Sequence, residues 1–237
     1  MSAEILLCGD LGGTRARFAL FAAGATEPIW TQTVAAADFP TPQAAARAVI
    51  DAEGGPPPTV CAMAVAAPPH ERPVRFTNNA WTLHPDAFGA ALGTPPPLVL
   101  GDFEALALGV GGTPGRRAPR LVIGPGTGLG VASAAPVGET GWIAISGQGG
   151  HAEIAPGDAF EAEILNLLRR GLGRVRAEDV VSGPGLVKLI GAVAALEGEP
   201  PPPSDPAEAL AAAPDDALRA VASLFGGCAG DQRRIAG

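Results

Sequence analysis

Apolar residues in the first hundred positions fall into short runs that are separated by glycine, proline and polar turns. Residues 4–8 and 16–22 flank the turn GDLGGT, a pattern that predicts two strands joined by a glycine-tipped hairpin. Thr41-Pro42 followed by QAAARAVIDAE predicts a helix with proline in its first turn. After the break GGPPP, the run TVCAMAVAA predicts a buried strand. Strands and helices in this order indicate an α/β fold.

The next segments continue the alternation. We expect a short helix over residues 84–92, a strand at PLVLG and a helix that begins with FEALALGV. The segment GGTPGRRAP is polar and glycine-rich, so it is either a link between domains or a surface loop. We place the boundary near residue 110, which predicts a small α/β domain over 1–110 and a large α/β domain over 111–237.

A second glycine-tipped hairpin opens the other half of the chain, because RLVI and VASAA flank the turn GPGTGLG. After the loop GQGGHAEIAPG, the pattern predicts an amphipathic helix at DAFEAEILNLLRR and another from Pro184 to Leu196. A proline-rich loop and alanine-rich helical segments follow, to about Phe225.

Composition and charge restrict the classes of partner that the chain is expected to bind. The chain has 237 residues and a net charge of -8, which argues against non-specific nucleic-acid binding because that depends on Lys and Arg. The three cysteines are widely spaced and form no Cys-x-x-Cys pair. No apolar run approaches the roughly 20 residues of a membrane span. We therefore expect a cytoplasmic protein with small-molecule partners, and neither nucleic acid nor membrane as a partner.

The two glycine-rich turns are candidates for phosphate binding. Gly12 and Gly13 can adopt positive φ and let backbone N–H groups approach an anion, and Asp10 adds a carboxylate where phosphate-bound magnesium would lie. The turn at 124–130 has four glycines and Thr127, which removes more side-chain bulk than a turn requires. Each turn alone is also explained as an ordinary hairpin tip. Their recurrence favours two turns that hold one phosphate chain.

Several single residues are candidates for the remaining chemistry. Asp102 follows a predicted strand, where it could accept a proton from a substrate hydroxyl or cap the next helix, and the two roles are compatible. Asn78 in TNNAW could bind a polyol, although a turn with a buried tryptophan is the more common reason for such a segment. His151 and Glu178 could bind sugar hydroxyls or be a structural histidine and a solvated acid.

Six segments occur in an order that resembles the motifs of bacterial ATP-dependent glucokinases, within the hexokinase/actin-like ATPase superfamily. They are GDLGGTRARFALF, TNNAW, GDFEALALG, GPGTGLGVA, GQGGHAEIAP and AEDVVSGPGLVKL. The resemblance implies a two-domain, ribonuclease-H-like fold. It also implies phosphoryl transfer from Mg-ATP to the 6-hydroxyl of glucose or a related hexose, and a homodimer is compatible with it.

The resemblance also assigns roles to residues. ATP phosphates would lie against Gly9, Asp10, Leu11, Gly12, Gly13 and Thr14, and against Gly124, Gly126, Thr127 and Gly128. Asp10 would act on the metal indirectly, through Mg-ATP. Asp102 would be the catalytic base, and glucose would contact Asn78, Asp102, Gln148, His151 and Glu178.

Three positions depart from the family's pattern. Gly101 stands where the family usually has Asn, Gln148 where it usually has Glu, and Arg15 where it usually has Asn. The segment LRAVASLFGGCAGD resembles the helix before the family's second glycine motif, and the sequence ends six residues later. We therefore expect the large domain to be incomplete at its C-terminus. An inactive sugar- or nucleotide-binding relative and a truncated gene product stay open as alternatives.

Overall fold

The computed structural model describes residues 4–76 and 79–236, with side chains described as far as Gln232. The chain divides into two compact units, Met1–Ala105 and Leu106–Gly237. The boundary that the sequence predicts, near residue 110, stays a prediction. Among the described residues, no helix combines the length and the hydropathy of a membrane span.

The first unit is built on a five-stranded mixed sheet. Its elements are β1 (Ile5–Leu11), β2 (Arg15–Ala22), β3 (Trp30–Ala35), α1 (Pro42–Glu53), β4 (Val60–Val65), β5 (Val74–Arg75), β6 (Thr82–Leu83), α2 (Pro85–Leu92), β7 (Leu98–Gly101) and the start of α3 (Asp102–Gly111). The strand order is β3-β2-β1-β4-β7. β1 pairs antiparallel with β2 and parallel with β4, which pairs parallel with β7. The carboxyl ends of β1, β4 and β7 therefore lie at one edge.

Alternation along β1 and β4 forms the core of this unit, because every second side chain of a strand points to the same face. Leu7, Leu11 and Met63 are fully buried there. Gly9 lies on the same face of β1, and a Cβ on it would lie 2.5 Å from Met63 Sδ. Glycine at this position thus makes room for the methionine.

The helices of the first unit begin and end where the sequence predicts. The Thr41 side chain accepts a hydrogen bond from the Ala44 N–H, Pro42 is the first residue of α1, and Gly54 ends the helix with φ 70°. α2 begins one residue after the predicted start and is followed by Gly93 in the left-handed conformation.

The second unit combines a three-stranded antiparallel sheet with four helices. Its elements after α3 are β8 (Arg120–Pro125), β9 (Leu129–Val137), β10 (Gly141–Gly147), α4 (Ala159–Leu172), α5 (Gly183–Glu197), α6 (Pro206–Ala211) and α7 (Asp215–Ala236). The strand order is β10-β9-β8. α5 packs against α4, α6 and α7. The core joins Leu129 and Val131 of β9 to Ile164, Leu189 and Val193 of the helices.

The predicted linker GGTPGRRAP packs onto the β9–β10 hairpin. The guanidinium carbons of Arg117 and Arg120 each lie 5.2 Å from the centroid of the Trp142 ring. Arg117 Nη2 also donates to three carbonyls at the β9–β10 turn, at 2.8 to 3.0 Å. The segment lies within the second of the two compact units, and its role as a link between domains or as a surface loop stays a prediction.

Several elements differ from the sequence prediction, and the two-residue strands β5 and β6 are among those not predicted. β3 was not predicted, because its centre is polar and it is mostly exposed at the sheet edge. β10 was not predicted either, and its Ile143 and Ile145 are about half exposed. α7 continues to Ala236 instead of ending near Phe225, since neither Gly226 nor Gly227 has the positive φ that ends a helix.

Gly227 provides a test of α7. It is exposed within the helix, and a Cβ on it would meet nothing within 4 Å. We expect Gly227→Ala to raise the free energy of unfolding by about 0.5–1 kcal/mol, because alanine has the higher helix propensity. Urea unfolding measures this change. The comparison variant is Gly185→Ala in α5, whose Cβ would lie 2.9 Å from Glu178 O, and it should destabilise the protein; the opposite order of stabilities would contradict the packing described.

Candidate functional site

Two aspartates lie at the carboxyl edge of the parallel strands in the first unit. Asp10 is the penultimate residue of β1, and Asp102 directly follows β7. Burial raises the pKa of Asp102, and the negative charge of Asp10 raises it further, although a hydrogen bond from the Phe103 N–H opposes both effects. Asp10 is exposed and pairs with Arg17 Nη1 at 3.5 Å. Asp102 therefore binds a proton more tightly than an exposed aspartate does.

Glu104 fixes the junction between β7 and α3. Its buried side chain accepts a hydrogen bond of 2.6 Å from the Gly101 N–H. This is the acidic half of a capping box. The Asp102 carboxylate accepts a hydrogen bond from the Phe103 N–H in the first turn of α3, at 2.8 Å. Glu104, which sequence reasoning missed, bonds the Gly101 N–H at the same helix start.

The first glycine turn is shorter than the sequence suggests. Gly9, Asp10 and Leu11 belong to β1, so Gly12, Gly13 and Thr14 form the turn. Leu11 is fully buried, so its side chain belongs to the core. Thr14 is exposed, and its carbonyl accepts a hydrogen bond of 2.9 Å from the Ala36 N–H.

The backbone of this turn also differs from expectation. Neither Gly12 nor Gly13 has positive φ. The Gly12 N–H donates to Arg15 O at 3.0 Å, and a Cβ on Gly12 would lie 3.1 Å from that oxygen. Glycine is thus needed at 12 for space. Asn79 Nδ2 donates to Gly12 O at 3.3 Å, whereas Asn78, the predicted sugar ligand, lies outside the described residues.

The second glycine turn is attached to the start of α5. Gly124 belongs to β8, and the turn itself comprises Gly126, Thr127 and Gly128. The carbonyl of Gly126 accepts a hydrogen bond of 2.8 Å from the N–H of Gly183, the first residue of α5. Thr127 is exposed at the tip.

Glu178 lies directly beside this turn. A Cβ on Gly128 would be 3.2 Å from Glu178 Oε2. The other carboxylate oxygen of Glu178 lies 3.4 Å from His151 Nε2. The structure thus brings together a predicted phosphate turn and two predicted sugar ligands. The His151 side chain is 55% exposed and that of Glu178 21%, so both are accessible to a ligand.

Gln148 is held near His151 by the backbone. A 3-10 turn covers Gly149–His151, and the His151 N–H donates to Gln148 O at 2.9 Å. Gln148 itself is exposed. The paired glycines after it are required by packing, because a Cβ on Gly150 would clash with Leu129 O and one on Gly149 would clash with the Gln232 side chain. Gln232 Nε2 also donates to Gly149 O at 3.2 Å.

A cluster of charges next to Glu178 escaped the sequence analysis. Arg176 Nη1 lies 3.1 Å from Glu178 Oε1, and Arg176 Nε lies 3.2 Å from Asp179 Oδ2. Lys188 Nζ is 3.7 Å from the other oxygen of Asp179. Burial would raise the pKa of Asp179, but the hydrogen bonds and positive charges of Arg176 and Lys188 lower it overall. The i,i+3 spacing of Arg176 and Asp179 was the one signal in the sequence.

Comparisons with known proteins agree on one family. A family model described as Glucokinase matches residues 7–233. A glucokinase from Mesorhizobium japonicum is 36% identical over 245 aligned residues, which cover 95% of this chain and 72% of that protein.

Solved structures show the same similarity. A glucokinase from an Antarctic psychrotroph has a TM-score of 0.87 at 28% identity, covering 98% of this chain and 80% of that chain. A ROK family glucokinase from Streptomyces griseus, in complex with glucose and AMPPNP, has a TM-score of 0.61 at 18% identity, again covering 98% and 80%. These similarities confirm the predicted fold class.

The raised pKa of Asp102 predicts a pH-dependent stability. Because the folded protein holds this proton more tightly than the unfolded chain, ionised Asp102 destabilises the fold. That destabilisation is absent below the unfolded pKa, about 3.9, and grows as pH rises through the folded pKa. We expect Asp102→Asn to raise the thermal midpoint at pH 7, with a gain that shrinks as the pH falls toward about 4.

Thermal melts of both proteins between pH 4 and 8 check this expectation. Asp51→Asn is the matched control, because it removes the same charge from an exposed position of α1. A midpoint gain for Asp102→Asn that does not depend on pH, or no gain at all, would contradict the burial of the carboxylate.

Proposed function

The chain belongs to the glucokinase family, and from this premise we propose that it transfers the γ-phosphoryl group of Mg-ATP to the 6-hydroxyl of glucose. Membership makes it a sugar-phosphorylating kinase. The identity of the phosphoryl donor, the hydroxyl that reacts and the roles of single residues are what we propose.

The placement of Asp102 carries the proposal. A general base works best when its pKa lies close to the operating pH, and an exposed aspartate is too acidic for that. Burial and the nearby Asp10 both move the pKa of Asp102 upward. The hydrogen bond that the Gly101 N–H donates to Glu104 holds the backbone beside Asp102. A partly buried carboxylate with a fixed backbone is suited to accept a hydroxyl proton.

The proposed reaction uses Asp102 in one step. Its carboxylate accepts the proton of the glucose 6-hydroxyl as the hydroxyl oxygen forms a bond to the γ-phosphorus. The bond between that phosphorus and the bridging oxygen of ADP breaks, and ADP leaves with the electron pair. Little covalent chemistry is asked of the protein, so positioning and charge neutralisation account for most of the rate.

The glycine turns fit a phosphate chain. A Cβ on Gly126 would meet nothing within 4 Å, and Thr127 is exposed, so side chains do not obstruct the second turn. The Gly126 N–H donates to Gly128 O at 2.8 Å, which leaves the N–H groups of Thr127 and Gly128 as the candidates for phosphate contact. We propose that the turns at 12–14 and 126–128 hold ATP phosphates, with Asp10 acting indirectly on Mg²⁺. Bound Mg²⁺ would neutralise phosphate charge. The Streptomyces griseus protein with AMPPNP supports the choice of ATP.

Hydroxyl groups of the sugar are assigned to the second unit's polar side chains and to Asp102. Glu178 and His151 are in contact, and Gln148 precedes the same 3-10 turn as His151. Carboxylate, imidazole and amide groups together provide acceptors and donors for a polyol. Asn78 belongs to the same proposal on the family resemblance alone.

The proposal also covers the compartment, turnover and the oligomeric state. All three cysteines are free thiols, which supports a reducing compartment such as the cytoplasm. Similarity to glucokinases over 95% of the chain does not favour a binding protein without turnover. A homodimer stays a prediction.

Substitution of the base tests the mechanism. Asp102→Asn preserves the acceptor for the Phe103 N–H but cannot accept a hydroxyl proton. We expect glucose-dependent ADP release to fall by at least about 100-fold, since general base catalysis contributes roughly that much or more. A coupled assay measures the rate, circular dichroism checks the fold, and Asp51→Asn serves again as the charge control. Unchanged turnover in the folded variant would remove Asp102 from the reaction.

Gln148 tests the sugar contacts. Its side chain is exposed, so Gln148→Glu breaks no bond that the structure describes and provides a charged acceptor. A hydrogen bond to a charged group contributes about 1 kcal/mol more than a neutral one, so we expect glucose to bind roughly five to ten times more tightly. Titration calorimetry measures the affinity.

Gly101→Asn is a less direct test of the same idea, because a Cβ on Gly101 would lie 3.3 Å from the Glu104 carboxylate. That substitution crowds the Glu104 side chain, which caps α3, and it also adds an amide. Equal glucose affinities for wild type and Gln148→Glu would point to a different sugar, or to a sugar that does not reach residue 148.

A further inference from the structure

We propose that Arg176 is a positioning residue, which holds the Glu178 carboxylate in the orientation that binds the sugar. This inference rests on the proposed function, in which Glu178 is a sugar ligand. It adds a residue that neither the motifs nor the family resemblance indicated.

Arg176 is itself held in place by hydrogen bonds to Asp179. Its backbone N–H and its Nε both donate to Asp179 Oδ2, at 2.9 and 3.2 Å. The Asp179 side chain is only 10% exposed, and Lys188 pairs with its other oxygen. Because the guanidinium group is planar, fixing Nε also fixes the direction of Nη1. The arginine therefore reaches Glu178 from a defined direction.

The carboxylate of Glu178 is held at one oxygen, Oε1. Arg176 Nη1 lies 3.1 Å from Oε1, and His151 Nε2 contacts the same oxygen. At the other oxygen, a Cβ on Gly128 would come within 3.2 Å. Within the part of the chain that the structure describes, Oε2 accepts no hydrogen bond. It is thus the oxygen that remains for a sugar hydroxyl.

Arg176 also compensates the negative charge of Glu178. Glu178 lies beside the turn at 126–128, where the proposed function places phosphate, and an uncompensated carboxylate there would repel it. Arg176 neutralises that carboxylate through an ion pair. Without Arg176, only the His151 contact at 3.4 Å would restrain the carboxylate, and its aim at the hydroxyl would be less defined.

Arg176→Gln tests this role, with Arg174→Gln as the matched control. Arg174 is exposed two residues earlier, so the control removes the same charge without touching Glu178. We expect Arg176→Gln to weaken glucose binding by roughly tenfold, the effect of losing one charged hydrogen bond. Arg174→Gln should stay within about twofold of wild type. Calorimetry measures affinity, and thermal melts check the fold.

A double-mutant cycle decides whether Arg176 acts through Glu178. In the Glu178→Gln background, Arg176→Gln should change glucose affinity by less than about twofold, because the partner that it orients has lost its charge. A full tenfold loss in that background, or wild-type affinity for the folded single variant, would overturn the inference.

Two further results remain informative. If Glu178→Gln binds too weakly to titrate, or Arg176→Gln does not fold, Arg176→Lys decides. Lysine keeps the charge but cannot bond Asp179 and Glu178 together, so we expect glucose affinity to fall by at least about threefold. Wild-type affinity would overturn the inference.

A wild-type protein that neither binds nor phosphorylates glucose defeats the proposed function itself. That outcome is seen before any variant is compared.

Discussion

Close approach of the backbone, which glycine alone permits, determines where the polar groups of both units lie. In the first unit, Gly9 lets Met63 fill the space beside β1, so that β1 and β4 pair up to the edge where Asp10 lies. In the second unit, Gly150 lets the Gln148–His151 turn rest on the carbonyl of Leu129. Protein interiors tolerate little overlap, so a methyl group at position 150 would displace backbone at Leu129, and one at position 9 would displace the Met63 side chain.

The order of strands then explains the contrast between the two aspartates. Parallel pairing places the ends of β1, β4 and β7 at one edge, where backbone groups are no longer used in the ladder. Asp10 reaches solvent and an arginine, whereas Asp102 is partly buried. Burial thus raises the pKa of the Asp102 carboxyl. The fold accepts an unfavourable carboxylate at the position where the proposed reaction uses a base.

Local patterns were sufficient to predict much of this structure. The hairpins around both glycine turns, α1, α2 and α5 follow from apolar periodicity and from helix-start signals such as Thr41-Pro42. The fold class followed from the succession of motifs. β3 could not be found in the same way, since an exposed edge strand with Thr31, Gln32 and Thr33 lacks the alternation that burial imposes.

The residues of the candidate site also fall into those that local sequence patterns indicate and those that only the structure shows. Asp102, His151 and Glu178 stood in recognisable segments, so their types could be named from the sequence. The role of Glu104 depends on a turn between strand and helix, and that of Arg176 on the direction in which Asp179 fixes a guanidinium group. Such roles arise from three-dimensional geometry, and no periodicity or composition indicates them.

The hydrogen bond between Gly183 N–H and Gly126 O has an evolutionary consequence. Both of its groups belong to the main chain, so no exchange of side-chain functional groups can delete it. The link from Arg176 to Glu178 is made by side chains and can be lost by a single codon change. Under the proposed function, sugar preference can therefore drift by point mutation at positions such as 176 and 178, while the attachment of the neighbouring glycine turn to α5 is inherited with the fold.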